Sequence, residues 1–274
     1  MRVWLNTGLV EASEAHLSAF DHGLTVGDGV FETIKVTDGV TFALTRHLKR
    51  LARSAAMIGL PEPDLDLARR AAEDVVAANT FPGLGRLRVT FTGGVAPLGS
   101  ERGADGPTLL VAVGQQPLPT PTVDVTTVPW PRNERGALAG VKSTSYAENV
   151  VALGYAKQRG GGEAIFGNLA GDLCEGTGSN IFVVVDGELV TPTLESGCLA
   201  GVTRALVLEW VGAAEKDMPL SVLADVDEAF LCGTTRDVQP IRAADGRVLP
   251  AAPGPITQKA MEVFASRAAE GIDP

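Results

Sequence analysis

Alternating apolar and polar positions predict short β-strands along most of the chain. Residues 30–36 are the clearest example, since Phe31, Thr33 and Lys35 fall on one face of the predicted strand. Asp38-Gly39 is typical of a hairpin turn into a second strand at 40–44. Further strands are predicted at 3–5, 9–10, 86–92, 108–113, 123–128, 164–168, around 173, and at 180–185, 188–191, 228–232 and 238–241.

A helical period predicts helices at 45–57, 65–78, 146–159, 203–214 and 256–268. Thr45 is expected to cap the first of them. That helix is unusually basic for an acidic protein, with Arg46, His47, Lys49, Arg50 and Arg53. A solvated helix face is the ordinary interpretation of such residues, and a basic side chain beside a phosphate is the functional one.

A proline-rich stretch at 115–122 (Q-Q-P-L-P-T-P-T) predicts a domain boundary, because prolines keep a linker extended. We therefore expect an N-terminal domain at 1–114 and a C-terminal domain at 123–274. Residues 93–106 are polar and rich in glycine, which favours a functional loop inside the first domain.

Composition and charge narrow the classes of function. The 274 residues are 45% hydrophobic and carry a net charge of −10, which argues against nucleic acid or an acidic membrane surface as a partner. No apolar run approaches the length of a membrane span, and the first ten residues do not resemble a signal peptide. Three scattered cysteines indicate a reducing, cytoplasmic environment.

Two residues and two turns could together carry chemistry. Lys142 lies in a loop of small residues (V-K-S-T-S-Y), and Glu175 precedes the turn G-T-G-S. Helix-initiating N–H groups are expected at 201–203, and a second N–H cluster at the turn 233–235. Each feature alone has an ordinary interpretation, as a surface lysine, a turn carboxylate or a helix cap. In this order they supply what pyridoxal phosphate requires: an amine, an anion for the ring nitrogen and a phosphate cradle.

Six motifs in one order resemble the fold-type IV pyridoxal-phosphate enzymes. The motifs are D-H-G-L-T-V-G-D-G-V-F-E-T, F-A-L-T-R-H-L-K-R-L, the Lys142 loop, E-A-I-F-G-N-L-A-G-D-L-C-E-G-T-G-S-N-I-F, C-L-A-G-V-T-R and G-T-T-R-D-V-Q-P-I. This family includes branched-chain and D-amino-acid aminotransferases, (R)-amine transaminases and aminodeoxychorismate lyases. The resemblance implies a two-domain α/β (α+β) fold, with a small N-terminal domain and a larger C-terminal domain on a barrel-like β core. It also implies a homodimer with the cofactor between the domains.

The resemblance also implies roles for individual residues. Lys142 is expected to be the Schiff-base lysine and proton shuttle, Glu175 the partner of the pyridine nitrogen, and Arg50 the phosphate-binding arginine. The other expected cofactor contacts are Leu199 on the ring face, Val202, Thr203 and Thr234 at the phosphate, and Tyr146 near the phenolic oxygen. Tyr146 lies one residue away from the spacing seen in the branched-chain enzymes. Phe31, Thr33 and Thr235 match positions that contact the substrate.

The motif that binds the substrate carboxylate in D-amino-acid aminotransferases is missing from this chain. D-amino-acid aminotransferases have an R-x-H pair after a proline, and this chain has Leu98 and Ser100 there. Arg102, on the same loop, is the expected substitute because a guanidinium binds a carboxylate in a bidentate manner. Arg86 and Arg88 are further candidates.

Three functions fit the sequence. The first is a transaminase that moves an amino group between an amino acid, D- or branched-chain, and a 2-oxo acid. The second is an aminodeoxychorismate lyase, which releases pyruvate and 4-aminobenzoate. The third is a module that kept the fold and lost the chemistry, against which Lys142, Glu175 and Arg50 argue.

Overall fold

The chain divides into two units in the structure, a computed structural model that describes residues 1–274. Unit 1 comprises Met1–Leu118, Val141–Tyr146 and Ile272–Pro274; unit 2 comprises Pro119–Gly140 and Ala147–Gly271. The break after Leu118 falls inside the predicted linker. No sequence pattern indicated that 141–146 and 272–274 belong to unit 1. The two-domain division at 115–122 stays a prediction.

Unit 1 contains one antiparallel sheet of six strands in the order β2-β1-β6-β5-β3-β4. The strands are β1 (Arg2–Leu5), β2 (Gly8–Glu11), β3 (Gly29–Thr37), β4 (Val40–Thr41), β5 (Leu84–Thr92) and β6 (Thr108–Gln115). The helices are α1 (His22–Thr25), α2 (Leu44–Met57) and α3 (Leu65–Ala77). The short helix α1 was not predicted.

The core of unit 1 lies between one face of this sheet and helices α2 and α3. Val30, Ile34 and Val36 of β3 pack there with apolar residues of both helices, among them Leu51. Thr33 of the opposite face is only half-buried. The predicted alternation of β3 is therefore confirmed, because one face contacts the helices and the other does not.

The start of α2 differs from the prediction in two ways. The predicted strand 40–44 ends at Thr41, and the helix begins at Leu44 after Ala43, whose φ of 55° is left-handed. Thr45 is not the cap. Its N–H and hydroxyl donate to the carboxylate of Asp273, at 2.8 and 2.5 Å. A side chain 228 positions away thus takes the role that we assigned to a local residue.

Unit 2 is built on a nine-stranded sheet in the order β12-β11-β10-β13-β14-β7-β8-β9, with β15 paired to β14. Its strands are β7 (Val123–Thr127), β8 (Glu163–Gly167), β9 (Leu173–Gly176), β10 (Asn180–Val185), β11 (Glu188–Thr191), β12 (Ala214–Glu215), β13 (Ala229–Gly233), β14 (Asp237–Ala244) and β15 (Arg247–Val248). Its helices are α4 (Ala147–Gln158), α5 (Val202–Trp210) and α6 (Pro255–Glu270), with short 3-10 helices at Leu194–Ser196 and Leu220–Ala224.

The sheet of unit 2 curves until β9 lies beside β10. The tight turn between them is closed by the Gly176 N–H, which donates to the Ser179 carbonyl at 2.8 Å. This return of the edge strand confirms the predicted barrel-like β core. No helix of the structure is both long and apolar enough to cross a membrane.

The predicted helix at 203–214 is too long. Helix α5 ends at Trp210, and Ala214 instead pairs with Val190 of β11 in a short parallel ladder. Gly212, with a φ of 80°, turns the chain between the two. Alanines at 213 and 214 continue a helical pattern, but pairing with the sheet decides their conformation.

Candidate active site

The segment that carries Lys142 is held to unit 1 by main-chain hydrogen bonds. The Phe31 N–H donates to the Lys142 carbonyl at 2.9 Å, and the Thr144 N–H donates to the Gly29 carbonyl at 2.8 Å. Ser143 forms an antiparallel bridge with Val30. The lysine is therefore not on a loose loop, because its segment pairs with the start of β3.

The ammonium group of Lys142 lies over the aromatic ring of Phe31, with Nζ 4.6 Å from the ring centroid. Tyr146 packs edge-on against the same ring at 5.3 Å. The guanidinium carbon of Arg88 lies 3.7 Å from its centroid. Thr33 projects from the same face of the sheet and is the register partner of Arg88. Four of the predicted residues, Lys142, Tyr146, Phe31 and Thr33, thus lie together with Arg88.

Arg50 forms a buried ion pair with Glu32. Its Nε and Nη2 each donate to one Glu32 oxygen at 2.7 Å, and His47 Nδ1 lies 2.7 Å from the same carboxylate. Burial would raise the pKa of Glu32, but the charge and hydrogen bonds of Arg50, with those of His47, lower it to about 2. Glu32 is therefore an anion that fixes the orientation of Arg50.

We did not predict Glu32 or His47 as part of the site. One signal was available for Glu32, because a carboxylate on the buried face of an alternating strand requires a cationic partner. Only the packing of α2 against β3 identifies that partner as Arg50.

Arg102 has contacts that weigh against the role predicted for it. Its Nε and Nη2 pair with the Asp28 carboxylate at 2.7 and 2.6 Å, while Nη1 and Nη2 donate to the Gly59 and Ile58 carbonyls at 2.5 and 2.8 Å. The hydrogen bonds and charge of Arg102 lower the pKa of Asp28 despite its partial burial. All three guanidinium nitrogens are thus engaged: Nε and Nη2 bind Asp28, and Nη1 and Nη2 bind carbonyls just after the end of α2. Binding of substrate by Arg102 stays an unsupported prediction.

Glu175 occupies a defined position in unit 2, on β9. Its Oε2 accepts from the Leu199 N–H at 2.9 Å, and its Oε1 lies 3.5 Å from Arg132 Nη2. The Glu175 side chain is only 13% exposed. Arg132 was absent from the predicted site, although it contacts a residue at its centre.

Helix α5 begins without a side-chain cap, which leaves its first N–H groups as donors for an anion. Its N-cap is Gly201, and Val202 and Thr203 are the first helical residues. A Cβ on Gly201 would lie 2.0 Å from Asn180 Oδ1, so a larger residue there would displace the Asn180 side chain. Asn180 also donates from Nδ2 to the Leu199 carbonyl at 2.9 Å. Leu199 and the start of α5 thus meet at the first residue of β10.

The turn after β13 reaches the same end of the sheet. Cys232 pairs with Asn180 across β13 and β10, and Gly233 lies against Gly178 and Ser179. Thr234 and Thr235 follow Gly233 directly. Unit 2 therefore brings Glu175, Leu199 and the start of α5 at Val202 and Thr203 together around Asn180. Thr234 lies two residues after Cys232, the register partner of Asn180.

A buried glutamate holds the turn that precedes β10. Glu163 Oε1 accepts from the Thr177 N–H at 3.1 Å and from the Thr177 hydroxyl, and Oε2 accepts from Arg236 at 2.8 Å. The Asn149 amide donates to the Thr177 carbonyl at 2.6 Å. These contacts make the G-T-G-S turn a fixed part of unit 2.

The donor sets of the two units fit pyridoxal phosphate. Unit 2 presents an oriented carboxylate suited to a ring nitrogen and an uncapped helix start suited to a phosphate. Unit 1 presents an amine at Lys142 and a guanidinium at Arg50. The amine matches the cofactor's aldehyde and the carboxylate matches its ring nitrogen. The guanidinium and the helix start match its phosphate.

Sequence comparison agrees with this chemistry. Residues 29–244 match the family model described as amino-transferase class IV. A Methanocaldococcus jannaschii protein provisionally named branched-chain-amino-acid aminotransferase is 35% identical, over 96% of this chain and 95% of its own. The D-alanine aminotransferase of Bacillus licheniformis is 30% identical, over 94% of each chain. The bifunctional aminodeoxychorismate lyase / D-amino acid transaminase of Mycobacterium tuberculosis is 29% identical, over 92% of this chain and 94% of its own.

Structural comparison gives the same group. The branched-chain aminotransferase of Thermoproteus uzoniensis with norvaline superposes with a TM-score of 0.87 and 33% identity, covering 97% of this chain and 93% of that one. A hypothetical aminotransferase from Mycobacterium tuberculosis in its pyridoxal-phosphate-bound form has a TM-score of 0.84 and 28% identity, covering 97% and 98%.

Proposed function

Since the chain belongs to the class IV aminotransferases, we propose that it transfers an amino group between an amino acid, of D- or branched-chain type, and a 2-oxo acid. The observation that carries this proposal is the position of Lys142. Main-chain bonds fix its segment to β3, and its Nζ lies over Phe31 in a cluster of residues expected to contact substrate. A lysine held in this way has the fixed geometry that repeated proton transfer at one carbon requires.

The family is dependent on pyridoxal phosphate, which when bound serves as an electron sink for the negative charge that develops at the substrate α-carbon. In our proposal Lys142 supplies the amine that attaches the cofactor. Its Nζ would take the proton from the substrate α-carbon. It would then donate a proton to the cofactor carbon that carried the aldehyde. Glu175 supplies the anion that keeps the ring nitrogen protonated, which makes the electron sink effective.

On the basis of the resemblance, we assign phosphate contacts within each unit separately. In unit 2 we assign the first N–H groups of α5, at Val202 and Thr203, together with the hydroxyl of Thr234. In unit 1 we assign Arg50, whose orientation Glu32 fixes. Leu199 would pack on the ring and Tyr146 would lie near its phenolic oxygen.

Arg88 is our candidate for the substrate carboxylate, in place of Arg102. Its guanidinium lies on the Phe31 ring, on the face of β3 and β5 that carries Thr33, and it contacts the same ring as Lys142. Phe31, Thr33 and Thr235 are assigned to substrate contacts on the basis of the resemblance. A guanidinium close to the reacting amine would orient an amino acid by its carboxylate.

Aminodeoxychorismate lyase remains the second candidate, because one relative at 29% identity is named as both a lyase and a transaminase. The two reactions share removal of the α-proton by lysine and differ afterwards. The transaminase returns a proton to the cofactor carbon, whereas the lyase expels a group from the β-carbon.

A half-reaction scan separates these functions. The protein loaded with pyridoxal phosphate is mixed in turn with D-alanine, D-glutamate, L-leucine, (R)-1-phenylethylamine and aminodeoxychorismate, and the visible absorption and release of 4-aminobenzoate are followed. We expect loss of the visible band with amino acids. Rapid release of 4-aminobenzoate with inert amino acids would establish the lyase instead.

Attachment of the cofactor is tested separately. Borohydride should fix the cofactor to the Lys142 peptide, and Lys142→Ala should prevent this, whereas Lys157→Ala on the exposed side of α4 should not. A label on another lysine, or none at all, would remove Lys142 from the mechanism.

The expected assembly and location also belong to this proposal. The resemblance implies a homodimer, and the three free, buried cysteines are compatible with a reducing cytoplasm. Light scattering at micromolar concentration would report the mass of the assembly, and a mass corresponding to one chain would contradict the dimer.

A further inference from the structure

Arg132 is a mostly buried arginine that the chemistry above does not use. Its side chain is 16% exposed, and its Nη2 lies 3.5 Å from Glu175 Oε1. We propose that Arg132 is a positioning residue, which holds Glu175 ionised and correctly oriented toward the ring nitrogen of the cofactor. The proposal rests on the role that we assign to Glu175.

The backbone of unit 2 fixes the position of Arg132. Its N–H donates to the Gly167 carbonyl at 2.7 Å, and it forms a parallel bridge with Asn168. Its guanidinium carbon lies 4.1 Å from the centre of the Phe166 ring, and Phe166 is the register partner of Glu175 between β8 and β9. Arg132 therefore extends across the Phe166 ring to reach Glu175, the register partner of Phe166.

The rest of the guanidinium is held by the start of α4. Nη1 donates to Glu148 Oε2 at 2.6 Å and to Asn149 Oδ1 at 3.0 Å. Nε is buried and has no hydrogen-bond partner in the structure. Because a guanidinium is planar, the contacts with Glu148, Asn149 and Phe166 leave it little freedom to turn away from Glu175.

Leu199 and Arg132 both contact the Glu175 carboxylate and help to orient it. The Leu199 N–H holds Oε2, and the Arg132 cation faces Oε1. A nearby cation favours the ionised form of a carboxylate. Because Arg132 contacts the carboxylate directly, it stabilises that anion more than it affects any group that the carboxylate binds. A proton shared between Glu175 and a ring nitrogen therefore stays on the nitrogen.

The neighbouring thiols do not change this balance. Burial, and secondly the charge of Glu175, raise the pKa of Cys198 to about 11. Burial and Glu175 also raise the pKa of Cys174. Both thiols are neutral near neutral pH, so they add no charge beside Glu175.

The test compares Arg132→Gln and Arg132→Lys with Arg159→Gln. Arg159 is a matched control, since it also lies on an aromatic ring, that of Tyr155 at 3.4 Å, but on the exposed side of α4. The readout is the pH titration of the visible band of the cofactor-loaded protein, with the cofactor dissociation constant and the steady-state constants.

We expect Arg132→Gln to move the midpoint of this titration upward by about one pH unit, because removal of a cation raises the proton affinity of nearby groups. We also expect kcat to fall about tenfold with KM nearly unchanged. Residues that orient a functional group without contacting the substrate usually have an effect of this size. Arg132→Lys should keep the midpoint near that of the wild type and recover part of kcat. Arg159→Gln should behave like the wild type.

An unchanged midpoint and kcat in Arg132→Gln, with the wild type loaded and active, would overturn the role of Arg132 alone. A wild type that shows no visible band would instead overturn the proposed function. If Arg132→Gln does not fold, Arg132→Lys decides: a kcat equal to that of the wild type would show that the planar guanidinium is not required.

Discussion

The basic helix α2 contains one arginine whose environment differs from that of its neighbours. Arg50 is buried against the fully buried Glu32, whereas Arg53, one turn later, is exposed. The sequence pattern of α2 could not separate the two by burial. The pairing shows that Arg50 has a structural role in addition to the phosphate contact that we propose.

Arg50→Ala should therefore reduce stability as well as cofactor affinity. It leaves the Glu32 carboxylate buried without its cation, a loss of about 3–5 kcal/mol in comparable buried pairs. Denaturant unfolding of the apoprotein measures this, with Arg53→Ala as the control. If Arg50→Ala unfolds at the same denaturant concentration as Arg53→Ala, the pair contributes nothing to stability.

The same pair predicts a pH dependence of stability. The pKa of Glu32 falls from 4.5 to about 2 on folding, so its contribution to stability is present above pH 4.5 and is lost as the pH falls toward 2. Burial also lowers the pKa of His47 below 6.5, which weakens the folded state further once the pH falls below that value. Glu32→Gln should flatten the lower part of the profile of unfolding free energy against pH, and an unchanged slope there would contradict the assignment.

At the scale of elements, α2 depends on a cap that comes from the other end of the sequence. Ala43 provides no side-chain cap, and Asp273 accepts from the Thr45 N–H and hydroxyl. Arg69 of α3 also donates to the Thr45 hydroxyl at 2.6 Å. Arg69 also lies 3.7 Å from the Asp273 carboxylate, so Asp273 contacts both α2 and α3 inside unit 1.

Asp273→Ala should destabilise unit 1 by about 1 kcal/mol, the usual loss when a helix cap is removed. Glu270→Ala is the control, since Glu270 forms only an exposed i,i+3 pair with Arg267. Thermal melting of both variants decides the matter. Equal melting temperatures would show that the distant cap contributes no stability.

The N-terminus of α5 allows a second prediction at this scale. Gly201→Ala would bring a Cβ to 2.0 Å from Asn180 Oδ1, and the repositioned helix start should weaken cofactor binding about tenfold, because a misplacement of about 1 Å is costly at such sites. Gly154→Ala, at a helical position with nothing within 4 Å, should instead stabilise the protein by about 0.5–1 kcal/mol. Fluorescence titration with pyridoxal phosphate distinguishes the two, and equal dissociation constants would exclude a role for the α5 start.

At the scale of the whole molecule, the net charge is −10, yet one sheet face in unit 1 is basic. Lys35 pairs in register with Arg86, and Thr33 with Arg88, on the face where Lys142 lies over Phe31. A local cluster of cations attracts small anions even when the protein as a whole is acidic.

We therefore expect the KM for a dicarboxylate acceptor such as 2-oxoglutarate to rise with ionic strength, as screening weakens this attraction. Arg88→Gln should raise that KM about tenfold and reduce its dependence on salt, through loss of a bidentate partner. Lys259→Gln, at an exposed position of α6, is the control. A KM that depends neither on salt nor on Arg88 would show that another group binds the substrate carboxylate.

Most elements of the fold could be predicted from the sequence, because their signals are local. The strands β5, β10 and β11, the helix α3 and the turns between them follow from periodicity, β-branched residues and glycine. The motifs around Lys142 and Glu175 identified the family in the same way. These features depend on residues that are close in sequence, and not on which elements later pack together.

Only the tertiary structure decided which charged groups meet. It paired Arg102 with Asp28, Glu32 with Arg50, and Asp273 with the start of α2. It also placed 141–146 in unit 1 and Arg132 beside Glu175. Such pairs depend on sheet register and on which elements pack together, and a buried charge takes the nearest partner that this packing supplies, at any distance along the sequence.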